Sequence, residues 1–282
     1  MSRDLKQKLQ TGEIELPPIP RAQQEIVDLL QDPNCGMREI GMAIAQDLAF
    51  TTKVLRVANS VLYSAGEPIL SVPRAAIVMG IEALQEVLQE LSELEPGDPP
   101  QGAAALELEE VWKHSILTAK LARLIGTACT RCFDISPDEL YTCGLLHDLG
   151  QIVLLDNLPG VYYPILRESR LRGQDIYVVE EEKLGLNHTK VGALISQRWN
   201  LPRELQSAIR YHHKPELAPE GSPAVWIIDI ANRVAHQVRE GATTEVRSIL
   251  NAEVAKAIGL SPRHLKAILE KGKELALGIQ LV

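Results

Sequence analysis

Cys143-Gly144-Leu145-Leu146-His147-Asp148-Leu149-Gly150-Gln151 sets an adjacent His and Asp at the end of an apolar helical run. Ser136-Pro137-Asp138-Glu139 opens that run with capping-box spacing and a proline at the first helical position. Gly150 can close it in a left-handed conformation. Leu140, Cys143, Leu145 and Leu146 make the turns between apolar, which puts the His-Asp pair at the floor of something buried. A buried carboxylate needs a cation or hydrogen-bond donors. A neutral imidazole beside it is half of a divalent-metal site. Alone, the dipeptide is better read as a helix-end pair satisfied by backbone groups, because short motifs match by chance. The other histidines change that balance.

The chain has 282 residues, 45% of them hydrophobic, enough for one large domain or two modest ones. No apolar run reaches the roughly 18 residues that span a bilayer. Met1-Ser2-Arg3-Asp4 lacks an apolar signal region, so a cytoplasmic location is expected. A net charge of −8 argues against nucleic acid or an anionic membrane as partner. It leaves room for a small anionic ligand held by a metal or a local pocket. Cys129 and Cys132 form a lone CxxC, which does not make a zinc ribbon, and with Cys35 and Cys143 they read as reduced thiols. Aromatic residues are 4% of the chain, too few to suggest a platform for stacking bases.

Residues 1–15 read as a loosely held arm or short helix, and Leu16-Pro17-Pro18-Ile19-Pro20 as an extended segment. Helical patterns follow over 22–30, 37–48, 51–62 and 73–94. The last of these places Ile77, Ile81, Leu84, Leu88 and Leu91 on one stripe. Prolines and glycines in 95–102 break the chain. Beyond the break, helices are expected over 104–125, from Ser136 to the His-Asp pair, and over 188–199, 202–212, 222–240, 245–258 and 262–277, with apolar segments at 152–155, 161–171 and 177–184. Few stretches alternate with period two, so the fold class is all-α. Three parts are expected: an N-terminal helical region over 1–95, a core over 104–241, and C-terminal helices over 242–282 that pack back.

Five of the seven histidines fall at helix ends or on apolar faces of the second part. His114 shares a face with Val111, Leu117 and Leu121. His188 opens a helix that Asn187 can cap, and His212-His213 ends one. Asp229 lies inside Trp226-Ile227-Ile228-Asp229-Ile230, where it can also form an i,i+4 ion pair with Arg233. Each residue alone suits an ordinary core or capping role. Together, helices of one bundle can aim them at a common centre and hold one or two divalent ions. The chemistry of such a centre is hydrolysis of a phosphate ester.

This order of His, His-Asp, His, His-His and Asp resembles the HD superfamily of metal-dependent phosphohydrolases, in particular its HDOD (HD-related output domain) branch. Leu16 to Pro20 and the segment from Asp47 to Ser60, with Ala58-Asn59-Ser60, resemble the HDOD N-terminal region. Val111-Trp112-Lys113-His114, the His147-Asp148 stretch, Asn187-His188-Thr189-Lys190-Val191-Gly192-Ala193 and Trp199-Asn200-Leu201-Pro202 resemble its HD core. The resemblance implies an HD-domain helical bundle with an additional N-terminal helical region. It implies metal ligands at His114, His147, Asp148 and Asp229, with further ligands at His188, His212 and His213. Asp148 would bridge two ions and be the catalytic residue, and Glu110 would add a carboxylate. The implied cofactor is one or two ions of iron, manganese, zinc or magnesium. Related cyclic-dinucleotide hydrolases carry Lys three residues after the Asp, where this chain has Gln151, and Gly-Tyr-Pro after the paired histidines, where it has Lys214-Pro215-Glu216. The expected function is therefore a signalling or output module with weak or no turnover, engaging a signalling protein or a nucleotide-like ligand. The alternative is a metal-dependent phosphohydrolase or phosphodiesterase acting on a nucleotide or cyclic nucleotide.

Overall fold

A computed structural model describes residues 14, 16, 20–63, 66–93, 100–129, 135–219, 222–240 and 252–279. Among them the regular structure is helical, with no strand. Most of the arm read at 1–15, most of the break at 95–102, Cys132 and residues 245–251 lie outside the described residues. No described helix is long and apolar enough to cross a membrane. Cys35 and Cys143 are free thiols.

Four helices form the N-terminal region: α1 (Pro20–Gln31), α2 (Met37–Ile44), α3 (Leu48–Ala58) and α4 (Val72–Glu93). The apolar spacing predicts one helix through to residue 48; the structure breaks it before Leu48, at Asp47. That buried carboxylate accepts the Phe50 N–H at 2.8 Å and starts α3. The apolar spacing continues across the break, so periodicity hides it. Asn59 pins the connection after α3: its amide donates to the Leu55 and Ile69 carbonyls at 2.9 and 2.8 Å, and its oxygen accepts the Ile69 N–H at 2.8 Å. The expected single stripe on α4 is also corrected. Gly80 sits at φ 78°, ψ 173°, a kink open to glycine, and the buried face changes phase there. Ala75, Ala76 and Met79 face inward before it and Ala83, Leu84, Val87 and Leu91 after it, while Ile77 is exposed.

The second part is built on α5 (Ala103–Ala128), against which α6 (Pro137–Leu146) makes the most extensive helix packing among the described residues. Ser136 and Glu139 form the expected capping box, with Ser136 N–H donating to the Glu139 carboxylate at 2.6 Å and Ser136 Oγ accepting the Glu139 N–H at 3.3 Å. The chain then continues through α7 (Leu149–Asn157), α8 (Pro159–Arg172), α9 (Ile176–Leu184), α10 (His188–Arg198), α11 (Arg203–Tyr211), a 3-10 turn (Pro215–Leu217) and α12 (Pro223–Glu240). Last come α13 (Ala252–Ile258) and α14 (Pro262–Leu277); α14 lies against α5 and α12 and buries Leu265, Ile268 and Leu269. The N-terminal region meets this part through an Arg38–Asp138 ion pair at 2.9 Å and through Arg56, 5.1 Å above the Trp199 ring.

Gly150 does not close α6 in a left-handed turn. It lies in the first turn of α7 with no positive φ. Its role is close approach: a Cβ there would lie 1.9 Å from the His188 carbonyl oxygen, so only glycine lets α7 touch the start of α10.

Candidate metal centre

His114 projects from the middle of α5. His147 and Asp148 are the joint between α6 and α7. His188 is the first residue of α10, and His212 and His213 follow the last residue of α11. Local chemistry frees these side chains. Asn187 caps α10 by accepting the Lys190 N–H at 3.1 Å, so the His188 ring is not needed there. Asp148 is the residue before α7 yet makes no side-chain cap, which leaves its carboxylate for the interior.

The structure brings six of the seven expected ligands into two groups. One is His114, His147 and Asp148; the other is Asp148, His188, His212 and His213. Within each group the ligand atoms lie within 4.8 Å of one another. Asp148 belongs to both and turns one oxygen to each. Its Oδ2 is 3.2 Å from His147 Nε2 and 3.7 Å from His114 Nε2. Its Oδ1 is 3.3 Å from His188 Nε2 and 3.5 Å from His212 Nε2. All but His213 are buried.

Three imidazoles are oriented by acceptors behind them. His147 Nδ1 donates to the Gly144 carbonyl at 2.7 Å. His212 Nδ1 faces the Ala208 and Ile209 carbonyls at 3.2 and 3.1 Å. His188 Nδ1 donates to Glu180 at 2.7 Å, and the same carboxylate oxygen accepts the His188 N–H at 2.8 Å. Glu180, fully buried on α9, also accepts the Tyr162 hydroxyl. With the Nδ1 proton taken, the neutral form of each ring presents its Nε2 lone pair inward, the arrangement by which outer partners prepare metal ligands. His188 Nε2 and His212 Nε2 stand 3.4 Å apart. His147 Nε2, His114 Nδ1 and Asp148 Oδ1 are buried without a hydrogen-bond partner. Buried electron-pair donors left so are costly, and cations at the two groups would satisfy those that face them. This nitrogen-and-carboxylate set fits a divalent ion such as zinc, manganese or iron.

In the metal-free protein the rings differ in charge, and a metal would have to displace a proton from His188. Burial pushes the Asp148 carboxyl up, but His147, His212 and His188 outweigh it and hold it well below the usual carboxylate range. Burial lowers His212 to about 3, with His213 adding to the shift, and lowers His114 well below the usual imidazole range, with His236 adding. At His188 burial also acts downward, yet Glu180 and Asp148 raise it to about 9. A consequence for the metal-free protein follows. The raised His188 contributes stability that is complete below about pH 6.5 and is lost as pH rises through about 9. That loss is about 3 kcal/mol at roughly 1.4 kcal/mol per unit. The depressed His212 acts on the other side: its stabilisation is present above about pH 6.5 and fades as pH falls toward about 3. Urea unfolding in chelator should therefore show a maximum near neutrality, with stability at pH 9 below that at pH 7. A flat profile between those values would refute the His188 assignment.

Asp229 is not brought to either group. Its carboxylate takes Arg233 Nε one turn on, at 2.7 Å, the i,i+4 pair the sequence also allowed. Glu110 likewise engages Arg239 and Lys113. Three participants escaped the sequence reading. His236 places its ring 4.4 Å from that of His114. Glu180 opens the acidic run Glu180-Glu181-Glu182, which reads as a solvated face. Tyr162 is fully buried beneath Glu180. His264 serves elsewhere, in the capping box of α14.

An all-helical chain with a His-Asp joint shared between two sets of imidazoles defines a protein of the HD-domain class. Residues 16–215 match the HDOD domain family, and the chain belongs to it. It is 27% identical over 219 residues to an uncharacterized protein of Treponema pallidum (strain Nichols), a match covering 77% of this chain and 42% of that one, so the chain spans less than half the length of that relative. The fold is similar to that of the MmoQ response regulator of Methylococcus capsulatus strain Bath, with a TM-score of 0.68, 22% identity, and 90% of this chain and 98% of that one covered. It is also similar to an HDOD domain protein of Geobacter sulfurreducens, with a TM-score of 0.57, 24% identity and 99% of both chains covered.

Proposed function

We propose that this chain is an HDOD-type signalling module whose buried centre holds one or two divalent ions and turns substrate over slowly or not at all. The observation that carries the reading is the Nε2 atoms of His147, His188 and His212 converging on Asp148, each with its Nδ1 already bonded. His114, His147 and Asp148 hold one ion; Asp148, His188, His212 and His213 hold the other. A divalent ion there supplies Lewis-acid polarisation of a phosphoryl group. The chain's own residues add little to turnover. Gln151, buried and neutral, stands where a lysine would supply a charge for the phosphate. The N-terminal region over 1–95, the metal-holding core over 104–241 and the C-terminal helices over 242–282 then act as one platform for a signalling partner or a nucleotide-like ligand in the cytoplasm. The response regulator among its fold relatives supports the signalling reading.

A second reading is favoured by one feature: two ligand groups sharing a carboxylate is the arrangement of two-ion phosphoester hydrolases. Metal analysis followed by assay separates them. Protein loaded with manganese, iron, zinc or magnesium should carry one or two ions per chain and show turnover of cyclic mono- and dinucleotides or nucleoside phosphates below about 1 per second. Rates in the usual enzyme range of about 1–1000 per second would establish the hydrolase instead.

A further inference from the structure

A cavity of about 1010 Å³ lies where the N-terminal region meets the core and α14, and it shares no residue with the metal centre. Met42 comes to it from α2, Lys120 and Leu124 from α5, Tyr141 from α6 and Leu275 from α14. Lys120, Arg123, Leu124 and Thr127 follow helical spacing, so one face of α5 lines the cavity, a different face from that of His114. The charges there are not balanced. Arg38 and Arg123 both hold Asp138, at 2.9 and 3.0 Å, which leaves that trio with one positive charge in excess. Lys271 pairs with Glu274. Lys120 stands apart: it is half-buried, and no described residue gives it a hydrogen bond or an ion pair. Burial alone acts on its ammonium, pulling its pKa down. The remaining carboxylates of the lining, Glu25 and Glu39, are exposed and do not reach it. An ammonium drawn partly out of water without a counter-charge is costly, and the chain as a whole, at −8, has acids to spare.

We infer that this cavity binds a small organic anion, a phosphate, sulfonate or carboxylate head on an apolar body, with Lys120 holding the head and Met42, Leu124 and Leu275 receiving the body. Its volume is at the upper end of the roughly 300–1,000 Å³ of small-molecule sites, which are mostly apolar with a few placed polar groups. The occupant touches the N-terminal region, the core and α14 together. Tyr141 and Thr142 bring it against α6, the helix that runs into the His147-Asp148 joint. The site deepens the ligand half of the reading above and is independent of its metal half.

The probe is 8-anilinonaphthalene-1-sulfonate, which has such a head and body; N-phenyl-1-naphthylamine has the same body without the charge. Fluorescence titration of the full chain in chelator should show the sulfonate bound, and bound more tightly than the neutral amine. Lys120→Met should weaken the sulfonate by about tenfold or more and leave the neutral amine unchanged. Lys120→Arg should keep the sulfonate, and Met42→Glu, which sets a negative charge on the N-terminal side of the cavity, should weaken it. Lys120→Met should melt no lower than wild type, since it removes a charge that has no partner. A wild type that binds no sulfonate, or a Lys120→Met variant that binds it equally, overturns the inference and leaves the metal reading standing. Equal loss of both probes in Lys120→Met overturns it by making the lysine a packing residue. Sulfonate binding that requires an added divalent ion overturns it in favour of the metal centre.

Discussion

Asp148→Asn should strip both ions at once. Asp148 is the one carboxylate in either group, and its two oxygens face opposite ways, Oδ2 toward His114 and His147, Oδ1 toward His188 and His212. Asparagine keeps the shape and one oxygen but removes the charge. Breaking a buried charge pair costs on the order of 3–5 kcal/mol, which at about 1.4 kcal/mol per decade is more than a hundredfold in affinity. Dialysis against manganese and zinc should show that loss for both ions, with helicity unchanged. The contrast with His213→Ala locates the effect: His213 is the one ligand that is not fully buried, and it already faces Asp175 at 3.3 Å, so its loss should touch only the second ion. Dissociation constants for Asp148→Asn that remain within about tenfold of wild type would place the ions elsewhere.

Gly150→Ala should cost more stability than alanine at any other described glycine. The added Cβ would meet the His188 carbonyl oxygen at 1.9 Å, its carbon at 2.7 Å and the Gly192 nitrogen at 2.9 Å. All three are backbone atoms, so no side chain can rotate out of the way. Helix α10 must retreat from α7. Overpacking typically costs about 1–3 kcal/mol, and a backbone clash of this depth belongs at or above the upper end. For a chain of this size about 3 kcal/mol or more lowers the melting temperature by roughly 10 °C. The retreat also carries His188 away from Asp148, so the second ion weakens in the same variant. Gly160→Ala is the control, because nothing lies within 4 Å of a Cβ there. A Gly150→Ala protein that melts within about 2 °C of wild type would mean that the two helices are not in contact.

Much of the fold could be read locally. The Ser136 and Ser261 capping boxes, the Asn187 cap and the left-handed Gly259 after α13 are set by residues within one turn of each other, so their spacing in sequence is their spacing in space. The order of histidines was legible for the same reason: each stands at a helix end or on an apolar face. What escaped depends on contacts between distant segments. Gly150 reads as a helix stop until His188 is seen beside it. Glu180 reads as surface charge until Tyr162 and His188 are seen to enclose it. Asp229 shows how a local pair can compete with a distant site. A carboxylate in an apolar run suggests a ligand, yet Arg233 one turn away satisfies it locally. Gly80 hid inside an otherwise regular period because a kink leaves the residue spacing on each side intact.

The dispersal of the ligands has a kinetic meaning. They run from residue 114 to residue 213 and sit on the middle of one helix, a joint, one helix start and one helix end. No pair except the His147-Asp148 and His212-His213 neighbours is local. An ion can therefore be captured only after the long-range pairing of α5, the α6–α7 joint, α10 and α11 is complete, and contacts of such separation form late. Its release in turn requires local opening of those elements. Metal exchange becomes a clock for that opening: the off-rate should track amide hydrogen exchange at the start of α10 and the end of α11, and be indifferent to exchange in α1–α4.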